Sequence, residues 1–160
     1  MNPQSPLLTP AARRVLVTGA DGFVGRSVVK ALAQQPGIEA VFAQDVREVP
    51  TDRRVAGVMY QVQDVRAPSL VDSMAAGQID TVVHLASIVT PGKDSNRAFE
   101  YSVDVDGTRN VLNACVHGGV RHVVVSSSGA AYGYHADNPA WLTESDALRG
   151  NEVFASAHHR

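Results

Sequence analysis

With 160 residues, of which 44% are hydrophobic and 19% charged, the chain is sized for one globular domain with a continuous core and little room for a second. A net charge of −2 without a basic run leaves no footprint for phosphate-driven nucleic-acid binding. No apolar stretch approaches the roughly 20 residues that span a bilayer, so neither nucleic acid nor membrane is expected as a partner.

The single cysteine, Cys115, rules out an internal disulfide and a thiolate metal site, and the expected compartment is a reducing cytoplasm. Residues 1–12 are polar, carry prolines and lack a cationic start or apolar core; they are expected to form a flexible leader rather than a secretory signal. Residues 13–160 are then the folded unit.

In chain order, short Val-rich runs alternate with longer amphipathic ones, the pattern of an α/β protein whose parallel sheet is covered on both faces. Strands are expected at 14–18, 40–44, 59–63, 81–85 and 122–126. Between the first two, Val24, Val28, Ala31 and Leu32 recur at helical spacing until Pro36-Gly37 stops the run. A long helix should begin near Asn96 and end at Gly118-Gly119, with Phe99, Val103, Val111, Leu112 and Cys115 along its apolar stripe. Gly107 inside that helix is costly, which points to close packing. Right-handed crossovers give a Rossmann-type, doubly wound, three-layer α/β/α fold with strand order 3-2-1-4-5. A nucleotide belongs above strands one and four.

The first strand runs straight into Gly19-Ala20-Asp21-Gly22-Phe23-Val24-Gly25. Gly19 can make the sharp turn, Gly22 admits a pyrophosphate close to backbone, and Gly25 lets the helix pack on the strand. The helix N-terminus at Phe23 and Val24 supplies the positive pole. Asp45 follows Gly25 by about 20 residues, where a carboxylate can accept both hydroxyls of the adenosine ribose and repel a 2′-phosphate. NAD is therefore expected over NADP, although Arg47, two residues on in Asp45-Val46-Arg47, could turn toward a phosphate. Asp64 could accept the adenine amino group while Val65 backs the ring; an ordinary loop aspartate is the competing reading.

The G-x-x-G-x-x-G spacing resembles that of the extended short-chain dehydrogenase/reductases of the epimerase/dehydratase group. Further segments share the resemblance: Asp64-Val65-Arg66, Val83-His84-Leu85-Ala86, the stretch from Asp104 to Leu112 that is similar to an Asn-x-x-Gly-Thr-x-Asn helix, and Val125-Ser126-Ser127-Ser128 with Tyr132-Gly133. The resemblance implies that Leu85, Ala86, Ser87 and Ser126 line the nicotinamide end, and that Ser128 hydrogen-bonds a substrate carbonyl. In that family a Tyr-x-x-x-Lys pair moves the proton. Here none of the four tyrosines has a lysine four residues later, and Ser156 and Arg160 stand at the expected positions. Asp104 replaces the family's usual asparagine, and His84 is expected to pack at a strand end. Family members are roughly twice this long, which implies that the C-terminal substrate domain is lacking and that an apolar face is left open to self-association.

Two functions follow from the resemblance. One is the NAD-binding portion of an epimerase/dehydratase-like oxidoreductase for a nucleotide sugar or other hydroxylated small molecule. The other is a non-catalytic NAD-binding sensor or scaffold module derived from such an enzyme; a product without function is the blandest alternative.

Overall fold

The computed structural model describes residues 13–88 and 96–150. The expected leader, and Ser156 and Arg160, lie outside the described residues. Five parallel strands form one sheet: β1 (Arg13–Thr18), β2 (Ile38–Asp45), β3 (Met59–Val62), β4 (Thr81–His84) and β5 (His122–Val125). Their order is β3-β2-β1-β4-β5, the Rossmann-type order expected from the crossover rule. Register places Val15–Thr18 of β1 beside Val41–Gln44 of β2 on one side and Thr81–His84 of β4 on the other. The carboxyl ends of these three strands therefore finish level with one another.

Side-chain alternation along the strands makes the two cores. Val15 and Val17 of β1 join Val41 and Ala43 of β2 under Val29 of helix α1 (Phe23–Leu32). Leu16, Phe42 and Val82 point to the opposite face, under Leu70 and Met74 of α2 (Leu70–Ala76) and Val111, Ala114 and Cys115 farther along. A period of two in the strands thus feeds two helical layers. Helix α2 carries a single i, i+4 pair, Leu70 and Met74, in seven residues. That is too short for a periodicity to be read from sequence, and the sequence reading had not placed a helix there.

Two expected helix faces are rotated. In α1 the inward positions are Gly25 and Val29, flanked by Val28 and Leu32, while Val24 is 55% exposed. The cause is Gly25: a Cβ there would stand 2.1 Å from the Gly19 carbonyl oxygen, so this position must face the strand, and Val29 one turn later follows it.

The long helix begins as expected, with the Phe99 N–H donating to the Asn96 side chain (2.9 Å), and ends with Gly119 at φ +69°. It comprises α3 (Arg97–Tyr101), a π-helical stretch Ser102–Gly107, and α4 (Thr108–Gly118). The wider π turn shifts the phase of everything after it. Val111, Ala114 and Cys115 face inward, and Leu112, expected in the stripe, is 42% exposed. Beyond α4, every residue of the edge strand β5 is exposed, Val123, Val124 and Val125 included.

Candidate functional site

At the end of β1 the chain turns on Gly19, whose φ of +67° lies where a side chain is strained, and whose missing Cβ leaves room for the Ala86 backbone at 2.7 Å. The Gly22 N–H donates back to the Gly19 oxygen (3.1 Å), closing the loop. Gly22 is then the N-cap of α1 with ordinary angles (φ −65°, ψ 166°) and no side-chain cap, and the first turn carries no acid. The first amide hydrogens and the positive pole of α1 are left for an anion. A Cβ on Gly22 would meet only the Gly19 oxygen, at 3.1 Å, and otherwise open space. The glycine therefore keeps clear the approach to those amides rather than serving internal packing.

A cavity of about 340 Å³ opens beside this turn, walled by Gly19, Asp21 and Gly22, the end of β2, the segment after β3, and Leu85–Ile88. Asp45 closes β2. Its Oδ2 accepts the Asp21 N–H (3.0 Å) and its Oδ1 the Arg47 N–H (3.3 Å), which orient the carboxylate and leave it lone pairs for vicinal hydroxyls. Val46 and Arg47 continue this wall.

On the far side, Asp64 Oδ1 accepts from the Arg66 N–H (2.8 Å) and Nε (3.0 Å), and Oδ2 from Nη2 (2.6 Å). This clamp holds the Asp64 carboxyl below its ordinary range. Arg66 also lies over the Phe99 ring (5.1 Å). Val65 is buried behind them. Asn110 Nδ2 donates to the carbonyls of Val65 (2.8 Å) and Ala67 (3.0 Å), and a Cβ on Gly107 would press within 2.8 Å of Val65. The glycine expected from sequence to signal close packing thus lets the π-helical stretch lean on this turn.

At the other end of the cavity, Leu85, Ala86 and Ser87 follow β4. Behind them His84 is 2% exposed, with Nδ1 2.7 Å from Thr18 Oγ1 and Nε2 2.9 Å from Thr108 Oγ1. The amides of Leu85 and Ala86 both donate to Thr18 Oγ1 (3.2 and 3.3 Å), so the Thr18 hydroxyl hydrogen is directed to Nδ1. His84 is thereby the tautomer protonated at Nε2, donating to Thr108. Burial pushes its pKa down to about 4. As expected it braces a strand end: through Thr18 it fixes the amides that turn the chain into the cavity.

Of the sequence-predicted site residues, Gly19, Asp21, Gly22, Asp45, Val46, Arg47, Asp64, Val65, Leu85, Ala86 and Ser87 share this one cavity. Phe23 and Val24 flank it at the start of α1 with their side chains turned to solvent, and Gly25 packs beneath. Ser126 lies off the wall, its N–H on the His84 carbonyl (3.1 Å). Ser128 caps the turn Gly129–Tyr132, accepting the Ala130 N–H (3.2 Å). The cavity also takes in Gln44, Gln63, Arg66, Ile88, Phe99 and Val103, which sequence reasoning left out as site residues. Phe99 and Val103 share an i, i+4 spacing that reads as core, and a cavity wall has the same spacing. Among the described residues no group of His, Cys, Asp or Glu could hold a metal ion. No helix among them is long and apolar enough to cross a membrane.

The shape and donor set fit a dinucleotide: amides for a diphosphate, a carboxylate for a ribose, and an apolar slot for a base. The profile of the 3-beta hydroxysteroid dehydrogenase/isomerase family matches residues 16–156. A UDP-glucose 4-epimerase of Azospirillum brasilense is 35% identical over 127 residues, 78% of this chain and 36% of the relative. A short-chain dehydrogenase/reductase superfamily protein of Agrobacterium tumefaciens, solved with bound NAD, is 33% identical with a TM-score of 0.67 over 88% of this chain and 40% of that one. The UDP-glucose 4-epimerase of Brucella ovis in complex with NAD is 29% identical with a TM-score of 0.73, again over 88% of this chain and 42% of that one. The chain thus spans well under half the length of the relatives it matches.

Proposed function

The chain belongs to the 3-beta hydroxysteroid dehydrogenase/isomerase family, and from that premise we propose that it is the NAD-binding portion of an epimerase- or dehydratase-like oxidoreductase whose substrate is a nucleotide sugar or another hydroxylated small molecule. The observation that carries the reading is the placement of the Asp45 carboxylate in the same cavity as the uncapped start of α1. A ribose acceptor and a diphosphate cradle side by side are what adenosine diphosphate presents to a protein. NAD, when bound, supplies the hydride acceptor.

The chain's own residues bind and orient. The amides of the α1 first turn hold the diphosphate, Asp45 takes the ribose hydroxyls, and the Asp64–Val65 turn takes the adenine edge and face. Leu85, Ala86, Ser87 and Ser126 stand toward the nicotinamide end. Ser128, still holding a donor hydrogen while accepting from Ala130, can donate to a substrate oxygen.

A specific observation also favours the non-catalytic module. Within these 160 residues no tyrosine is followed four residues on by lysine, and by the family resemblance Ser156 and Arg160 would stand at the positions of that pair. Titration calorimetry of the purified chain with NAD and NADP tests the cofactor reading, and absence of NAD binding would sink it. Adding a panel of nucleotide sugars to the NAD complex, and following the absorbance of reduced cofactor, separates the enzyme portion from the binding module.

A further inference from the structure

The glycine-rich turn carries an acid where a diphosphate approaches. Asp21 lies between Ala20 and Gly22, its backbone N–H is 3.0 Å from Asp45 Oδ2, and it lines the same cavity. Its carboxylate is only 11% exposed and is met by Arg53 Nη1 at 2.9 Å, reaching in from the short 3₁₀ turn Thr51–Arg53 that follows β2. The contact is an ion pair without an aligned hydrogen bond at Asp21 Oδ1. Arg53, 38% exposed, does not line the cavity. A chain of contacts therefore runs from the ribose acceptor Asp45 to Asp21 and on to a guanidinium.

We propose that Asp21 is a second cofactor-specificity residue, which excludes a 2′-phosphate both by its own charge and by holding Arg53 away from it. The proposal rests on the NAD reading above. A guanidinium is the side chain best shaped to take a phosphate in paired hydrogen bonds. Here one stands a single residue's width from the ribose acceptor, engaged by a carboxylate that offers it charge but poor alignment. A 2′-phosphate has to compete with Asp21 for that arginine while facing the carboxylates of Asp21 and Asp45 together. Neutralising Asp21 removes one repulsion and releases the arginine in one step. Asp45 alone would give the preference without any dependence on Arg53, so the two schemes differ in whether positions 21 and 53 are coupled.

The test is a double-mutant cycle read by calorimetric affinities for NAD and NADP in the whole chain: wild type, Asp21→Asn, Arg53→Gln and the double variant, with Asp21→Ser as an independent second substitution. Asp21→Asn and Asp21→Ser should each cut the NAD-over-NADP preference about tenfold, the worth of one charge-assisted hydrogen bond at its low end. Adding Arg53→Gln should take back the larger part of that change, the part due to the released arginine, and leave the smaller part due to the lost Asp21 charge, while Arg53→Gln alone should move the preference less than about twofold. The proposal is overturned if the double variant keeps the whole gain, if Arg53→Gln acts equally in both backgrounds, or if neither Asp21 variant shifts the preference. Loss of NAD binding in both Asp21 variants overturns it too, since Asp21 would then be needed by NAD itself. A wild-type chain that binds no NAD fails the underlying reading instead.

Discussion

Lowering the pH should destabilise this domain through His84. The imidazole is buried, its Nδ1 receives the Thr18 hydroxyl hydrogen, and its pKa falls from 6.5 to about 4. The unfolded chain, with an ordinary histidine, therefore binds a proton that the folded chain refuses. The contribution is fully present above pH 6.5 and is lost as pH falls from there toward 4. A depression of about 2.5 pKa units corresponds to about 3.4 kcal/mol in full, of which about 2 kcal/mol is gone by pH 5. Urea unfolding followed by circular dichroism at pH 7.5, 6 and 5 measures it, with His84→Gln as the reference, since glutamine keeps a donor and an acceptor but does not titrate. The wild type should lose about 2 kcal/mol more than the variant between pH 7.5 and 5. Equal losses in both proteins would refute the account, because the titration would then belong to other groups.

The two inner glycines of the turn should separate binding from folding. Gly22→Val should abolish NAD binding in calorimetry at a cost of only about 1 kcal/mol in the urea assay, since its Cβ meets only the Gly19 oxygen, at 3.1 Å, and valine is a poor N-cap. Gly25→Ala should cost about 3 kcal/mol in the same unfolding assay, because the added carbon cannot coexist with the Gly19 carbonyl. Asp45→Ala should narrow the NAD-over-NADP difference by about 1.5–3 kcal/mol for each ribose hydrogen bond removed, and equal affinities of wild type for both cofactors would defeat the assignment. The chain as it stands should not reduce NAD with nucleotide sugars at an enzymatic rate, because losing a general base costs about 10²–10⁴-fold; an ordinary rate in the absorbance assay would show that residues 156–160 had been misread.

Legibility from sequence followed the kind of constraint at each position. Gly19 was readable because its φ of +67° strains a side chain, Gly25 because a Cβ would strike the Gly19 carbonyl, and Gly22 from its place in the same spacing; the distance to Asp45 was readable because a helix and a strand fix it. The strand order came from chirality. What escaped had its cause in a third dimension. The inward face of α1 is set by a contact between Gly25 and the Gly19 carbonyl, not by where valines recur. Leu112 was misplaced because a π-helical stretch rephases the helix after Tyr101, and hydrophobic spacing holds no record of that. Phe99 and Val103 escaped because a cavity wall and a core leave the same i, i+4 apolar spacing. Arg53 was invisible because it comes from a turn whose position depends on how the chain leaves β2.

Cofactor binding and proton transfer make different demands on a site, and three described residues with the chemistry for the second, Ser128, His84 and Cys115, are each placed for another task. Ser128 can donate one hydrogen, but its oxygen already accepts the Ala130 amide, and an aliphatic hydroxyl does not hold a proton loosely enough to exchange it near neutrality. His84 has the right ring and the wrong setting: burial keeps it neutral down to about pH 4, and the Thr18 hydroxyl occupies the one nitrogen that could take a proton. Cys115 is buried in the core, where desolvation pushes its thiol up and away from the reactive thiolate. Hydride transfer needs a positioned nicotinamide, for which the proposed walls are the residues that follow β4. Proton transfer needs a group whose pKa is tuned near the working pH, and these three candidates are each bound to a structural task that tunes them away from it. None of these three groups is placed to move a proton near neutrality, so the proton-transfer step of the proposed reaction calls for a different group.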